Sequence, residues 1–309
     1  MQRHRLSKTA SMRKISFVLM PVLAAGLMVS CDDSMKRHPS GPESEMSEGP
    51  IKPPQRADSA YTTGFVIGCP DWMVRVFNEP RDYCIDRFEA HLVEIRGGVE
   101  TVHPSSVSPP PLGRFIAKSL PGVLPQSSVN RKIAENACWN AGKRLCTIRE
   151  WIRSCSGVHT FIYPYGDREV PGMCNTRKPH ILSELHGSNP RAWGDGMNDP
   201  LLNMVKGYLA KTGQYTGCVS TYGTYDQVGN LHEWVSDLVD EKIAASRPRL
   251  GPAANNPFKS VPGNGIFMGG FFSTANENGS GCSYMTTVHF QEQRDYSIGF
   301  RCCKDADAK

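Results

Sequence analysis

Strong charge of either sign, zinc-type cysteine pairs and a long unbroken apolar run are all missing from this chain. Thirty-five basic against 30 acidic residues leave a formal charge of +5. Arg3, Arg5, Lys8, Arg13 and Lys14 carry an excess of that size before residue 15. The rest is nearly neutral, so no nucleic acid is expected as a partner. No C-x2-C pair occurs anywhere, which removes the usual framework of a structural zinc site. There is no G-x-S-x-G nucleophile turn. The acids of "GDGMNDP" do not keep the frame of an EF-hand. Repeats at solenoid periods are absent too.

The longest apolar stretch, "ISFVLMPVLAAGLMVSC" (15–31), is too short and too broken by proline to read as a membrane span. It follows a basic run and ends in small residues before a cysteine, as a secretory signal peptide does. Translation could start at Met1 or Met12. "LMVSC" is similar to a bacterial lipobox, with Cys31 as the lipid acceptor. Residues 1–31 are therefore expected to be a signal peptide. Residues 32–60, rich in Ser, Pro, Glu and Lys, cannot bury enough apolar surface to offset their ordering entropy and form a tether. The expected location is the bacterial cell envelope, with a lipid anchor in the membrane and the body facing the periplasm or the exterior.

Cysteine, by contrast, is plentiful. Of 11 cysteines one is Cys31. The other ten, between Cys69 and Cys303, suit a disulfide framework in an exported chain. Adjacent Cys302 and Cys303 cannot easily bridge each other, so each needs its own partner.

Beyond residue 60 the texture changes to short apolar runs broken by Gly, Pro and Asn. "MVRVF" (73–77) and "YCIDRFEAHLVEI" (83–95) read as strands, and residues 103–128 as a proline-rich loop with at most a short helical turn. "NRKIAENACWNAG" sets Ile133, Ala134, Ala137 and Cys138 on one helical face and stops at Gly142. "TIREWIRSC" opens with a Thr147–Glu150 capping box. Past Cys155 long helices disappear, and "GIFMGGFF" and "SIGFRCC" read as short strands. The expectation is one α+β domain over 61–304, with 305–309 as a tail.

Six blocks in register carry a family resemblance. "ACWNAGKRLCTIREWIRSCSG" resembles the "GKRLPTEAEWE" block of the formylglycine-generating enzyme, or sulfatase-modifying factor, family. "IDRFEAH", "YPYG" followed by "CN", "GTYDQVGNLHEWVSD", "MGGFF" and "IGFRCC" resemble its other blocks in order. The resemblance implies the formylglycine-generating-enzyme-like variant of the C-type lectin fold: α+β, disulfide-rich and low in regular secondary structure. It also implies the pairs Cys138–Cys302 and Cys155–Cys282. For Cys69, Cys84, Cys146, Cys174, Cys218 and Cys303 it implies no partner; Cys146–Cys174 and Cys84–Cys303 are expected without that support.

Structural calcium is a further implication. Carbonyls of Val228, Gly229 and Leu231 with the Glu233 carboxylate would form one site, Asn230 helping; the alternative for Glu233 is a buried carboxylate salt-bridged to an arginine or bonded to turn amides. Asn175 and Thr176 would begin a second, with Asp195 and Asp199 as candidate partners. His232 departs from the family's aromatic residue, and Asp237 is read as structural. The family's enzymes hold copper(I) with two cysteines just after the "RGGSY" block. Here those positions fall on Thr274 and near Gly279, and the nearby Cys282 is already assigned to a disulfide. Copper is therefore not expected, and no catalytic residue is assigned. Two functions stay open. One is a non-catalytic member that binds a ligand or scaffolds an envelope protein, with loops 96–130 and 176–225 as the binding surface. The other is a formylglycine-generating oxidoreductase.

Overall fold

The computed structural model describes residues 68–78, 80–187, 194–247 and 259–307. The signal segment, Cys31 and the tether lie outside them.

Three small sheets and four helices make up the described domain. In the first sheet the two ends of the domain meet. β1 (Met73–Val76) and β2 (Tyr83–Asp86) pair antiparallel, and β11 (Cys302–Asp305) adds to β2, so the last strand lies against the first hairpin. The two-residue strand β6 (Arg144–Leu145) closes that sheet on the far side of β11. A second sheet has the order β10 (Ile298–Phe300), β7 (His232–Leu238), β8 (Gly265–Met268), β9 (Met285–His289), with β10 parallel to β7. The third is β4 (Val99–Val102), β3 (Ala90–Arg96) and β5 (Phe115–Ser119). β5 falls inside the stretch read as a proline-rich loop. Its buried–half-buried alternation (Phe115, Ala117 and Ser119 inward) is a strand pattern that its flanking prolines conceal. β11 runs to Asp305, one residue past the expected domain end.

Both expected helices form where their caps stand. α1 (Arg131–Asn140) starts at Asn130, whose side chain accepts the Ile133 amide at 2.9 Å, and buries Ile133, Ala134, Ala137 and Cys138. Gly142 follows at φ +68°, a left-handed conformation that suits glycine. α2 (Ile148–Ser156) has the complete capping box: Glu150 N donates to Thr147 Oγ1 at 3.2 Å and Thr147 N to Glu150 Oε2 at 2.8 Å. Asp237 of β7 adds a third cap, accepting the Ile148 amide at 2.7 Å. Its structural reading thus acquires a specific partner. Two short helices, α3 (Ile181–His186) and α4 (Glu241–Ser246), lie in the loop-rich half.

Between α1 and α2 the corner is tied to both β2 and β11. Lys143 pairs with buried Asp86 at 2.6 Å, and Asp86 Oδ2 accepts the Cys302 amide at 3.0 Å. Arg144 reaches Glu150 and Asp305, each at 2.6 Å.

Five disulfides complete the frame: Cys69–Cys84, Cys138–Cys302, Cys146–Cys303, Cys155–Cys282 and Cys174–Cys218. The two pairs implied by the resemblance are among them. The expected Cys146–Cys174 and Cys84–Cys303 pairs are not, and strand geometry explains why. Neighbouring residues on a strand point to opposite faces. In β11, Cys302 therefore joins the core around α1, while Cys303 enters the core around α2 and meets Cys146. In β2 it is Ile85 that stands opposite Cys303, so Cys84 faces the other way, toward Cys69. That leaves Cys174 for Cys218.

The Cys146–Cys303 bridge closes a separation of 157 residues. Removing both sulfurs as Cys146→Ala/Cys303→Ala is expected to lower stability by about 2–5 kcal/mol. Denaturant unfolding measures that loss, and peptide mapping without reduction should recover a Cys146–Cys303 peptide. A Cys146–Cys174 peptide would overturn the pairing.

Candidate functional site

Glu233, in the turn carrying most of the expected calcium ligands, is engaged elsewhere. Its carboxylate is 1% exposed and lies against Arg301, which is wholly buried. Arg301 Nε donates to Glu233 Oε2 at 2.6 Å and Nη2 to Oε1 at 2.7 Å, a bidentate pair; Trp151 Nε1 adds a third donor at 2.7 Å. Burial alone would lower the Arg301 pKa, but the charge and hydrogen bonds of Glu233 outweigh it and raise it. The remaining three guanidinium hydrogens go to the carbonyls of Asp86 at 3.1 Å, Arg87 at 3.4 Å and Tyr225 at 2.7 Å.

A calcium ion needs several free oxygens, at least one usually a carboxylate. Both Glu233 oxygens already face cationic or N–H donors, and a second cation beside Arg301 would be repelled. The first expected calcium set therefore does not fit. Asn230 is spent too: its Oδ1 accepts Asn175 Nδ2 at 2.8 Å and the Ala210 amide at 2.9 Å. Gly229 stands at φ +80° with Asn175 O where a Cβ would be, 2.1 Å away, so the turn admits glycine alone. Val228 and Leu231 flank it, and the Leu231 amide donates to Glu89 Oε1 at 3.0 Å.

The second expected set keeps one fitting atom. Asn175 is buried, and its Oδ1 has no hydrogen-bond partner. Its neighbour Thr176 is half-buried. Asp199 caps a short 3-10 turn through the Leu201 amide at 2.9 Å, and Asp195 opens the turn before it. Among the described residues no cluster of three or more His, Cys, Asp or Glu is arranged to hold a metal.

Sequence reasoning missed two further acids beneath this turn. Glu89 is fully buried, and burial first, then the charges of Asp226 and Glu233, push its carboxyl well above the ordinary range. Burial likewise raises Asp226 to about 7, although it accepts the Gly213 amide at 2.6 Å. Three carboxyl groups thus share one guanidinium. The strand "IDRFEAH" does place Glu89 between apolar residues, but nothing in the sequence brings Asp226 beside it.

His232, the departure from the family pattern, substitutes for an aromatic ring. It packs 4.7 Å from Phe267 and 5.2 Å from Phe271 between centroids. Burial, with a smaller contribution from His289, pushes its pKa down to about 3, so it stays neutral.

At the positions of the family's copper cysteines there is no sulfur. Thr274 is buried, and its hydroxyl closes its own turn on Phe271 O at 2.8 Å; Gly279 has φ +121°. Cys282 is bonded to Cys155, and all ten cysteines from Cys69 to Cys303 are in disulfides. Thr274 does line a shallow recess, together with Tyr163, Tyr165, Glu169, Thr176 and Tyr284.

Residues 90–306 match the model of the sulfatase-modifying factor enzyme 1-like domain. Among curated proteins, the formylglycine-generating enzyme of Streptomyces coelicolor is 28% identical over 181 residues, which is 54% of this chain and 48%, about half, of that relative's length. Among solved structures, the Major Tropism Determinant P3c variant has 14% identity and a TM-score of 0.39, covering 77% of this chain and 53% of its own. Treponema denticola variable protein 1 has 12% identity and the same TM-score of 0.39, covering 76% of this chain and 100% of its own.

The raised Asp226 pKa has a pH signature. A carboxyl that binds its proton more tightly when folded adds stability in full below the unfolded value of about 3.9. That contribution is lost as pH rises toward about 7. Asp226→Asn keeps an acceptor for Gly213 and suits the φ of +61°. Its melting temperature relative to the natural chain is expected to rise steadily between pH 4 and pH 8. Parallel melting profiles for the two would show that Asp226 titrates normally.

Proposed function

The chain belongs to the sulfatase-modifying factor enzyme 1-like family, and from that premise we propose that it is a non-catalytic member, exported and lipid-anchored at Cys31, that binds a ligand through its loop surface. The observation carrying this reading is the disulfide bonding of every cysteine from Cys69 to Cys303, with Thr274 standing where a copper thiolate would. Copper(I) chemistry of the family's kind needs a pair of soft thiolates. A chain that has committed all ten body sulfurs to bridges has none to offer. The signal-like segment and the tether support the envelope location, because they would hold the domain clear of a membrane while leaving its loops accessible. Ligand binding then falls to the recess lined by Thr274, where a rigid frame presents loops.

The alternative, formylglycine formation from a substrate cysteine, is favoured by the name of the Streptomyces relative. Thiol counting on the denatured, unreduced full chain separates the two. With Cys31 lipidated, no free thiol is expected; two further free thiols would favour the oxidoreductase and overturn the non-catalytic reading.

For calcium the proposal keeps only the second set, Asn175 and Thr176, with Asp195 or Asp199 as the carboxylate the ion requires. A hard cation there would satisfy the unpartnered Asn175 oxygen and brace the turn at Gly229, which packs against Asn175. A chelator is expected to lower the melting temperature of the natural chain by a few degrees, restored by added calcium, and to leave Asn175→Leu unaffected. An unchanged melting temperature in the natural chain would dismiss calcium altogether.

A further inference from the structure

The recess has a chemistry that the missing copper pair does not explain. Two of its tyrosines, Tyr163 and Tyr165, stack with ring centroids 5.7 Å apart, and Tyr284 lines the same recess. Tyr163 donates to Glu169 Oε2 at 3.4 Å. Glu169 in turn holds the Arg177 guanidinium in a two-point pair, through Nε and, at 2.7 Å, through Nη2. Arg177 has a left-handed backbone (φ +57°), and its amide donates to Thr274 O at 3.0 Å, which pins it to the recess edge. With its side-chain amide turned by 180°, Asn276 accepts from the same guanidinium at 3.2 Å and donates to Ala275 O at 3.1 Å, the orientation that satisfies both of its atoms.

Glu277 follows Asn276 of the wall and is exposed; its carboxylate accepts the Ala275 amide at 2.9 Å and acts electrostatically on both Arg177 and the Tyr284 hydroxyl. Arg247 is held on the Asn278 carbonyl at 2.9 Å, so two carboxylates and two guanidinium groups stand around three tyrosines, and Glu169 is the acid that also lines the recess. Aromatic faces with a nearby carboxylate attract cations and do little for anions. The bound Arg177 side chain already shows a cation seated against this acid.

Resting on the binding role proposed above, we infer that the recess receives an organic cation, an alkylammonium group, and that Arg177 competes with it for Glu169. Such a group can come from a lysine side chain of an envelope protein or from a quaternary-ammonium headgroup. The two sources share the chemistry and differ in their methyl groups. Arg177 makes the site self-limiting: its own guanidinium must yield part of the carboxylate before a guest ammonium can take it.

The test uses the full chain and three probes: N-acetyl-lysine methylamide, choline and, as the anionic control, propionate. Binding is followed by tyrosine fluorescence and by ligand-detected NMR. Saturable binding of either cation is expected, with no saturation by propionate, and the stronger of the two identifies the source. Glu277→Gln should weaken the cation about three- to tenfold, and Tyr165→Leu by a similar factor. Arg177→Gln should tighten it by at least about threefold, the outcome that a merely structural ion pair would not produce. Circular dichroism confirms that each variant is folded; Arg177 and Glu277 are exposed, so their replacement does not disturb the core. Absence of cation binding, saturation by propionate, or an Arg177→Gln variant that binds no tighter would overturn the inference. If that happens while the thiol count stays at zero, only the cation site falls and the non-catalytic reading stands.

Discussion

The Arg301–Glu233 pair is the constraint around which the domain is arranged. A guanidinium with no exposed surface must find a partner for every donor. It does so by collecting Glu233 from β7, the Asp86 and Arg87 carbonyls from the end of β2 and the Tyr225 carbonyl from the loop before β7. Trp151 of α2 closes the set on Glu233. One buried cation thus fixes the relative positions of four chain segments that share little regular hydrogen bonding. Deleting either partner would strand a charge in the core, typically about 3–5 kcal/mol. The pair has a second effect, because it saturates the one carboxylate of the turn and makes that turn an ionic lock where the family resemblance implies a cation site.

The Glu89 and Asp226 carboxyls follow from the same constraint. With one guanidinium shared by three acids, full ionisation would leave excess negative charge in a site closed to water. Burial settles this by favouring the neutral acid at Asp226 and, more strongly, at Glu89. Glu89 remains useful when neutral. Its oxygens accept from Leu231 N and Asn230 Nδ2, so it organises the turn from below whatever its charge.

How far the sequence reached depended on whether a feature is local. The caps of α1 and α2 were legible because Asn130, Thr147 and Glu150 act within three residues of themselves. Cys138–Cys302 and Cys155–Cys282 were accessible through the family pattern. Cys146–Cys303 was not, since it depends on the register of β6 against β11, and a two-residue strand has no periodicity to read. The mixed helix-and-sheet layout followed from short apolar runs, whereas β5 was hidden by its prolines. For Glu233 the motif indicated burial at a functional-looking turn, but its partner stands 68 residues away in Arg301, a distance only the fold can close. The recess lies further still from the sequence, because its walls come from separate loops that share no motif.

Those walls are continuous with the core, since Tyr163, Cys174, Val228 and Cys282 pack in the same cluster as Trp151. The Tyr163–Arg177 wall is anchored by Cys174–Cys218, and the Thr274–Tyr284 wall by Cys155–Cys282. The Cys282 amide donates to Ile162 O at 2.8 Å, which joins them. Thr274 closes its own turn by hydrogen bonding, so no thiolate or metal is needed to hold the loop in shape. The lock at Arg301 is linked to them through Trp151, which donates to Glu233 and packs in the same cluster as Tyr163 and Cys282. The frame is thus held by disulfides and buried packing that do not involve the positions of the family's copper cysteines, and a fold of this kind does not by itself fix what its loops do.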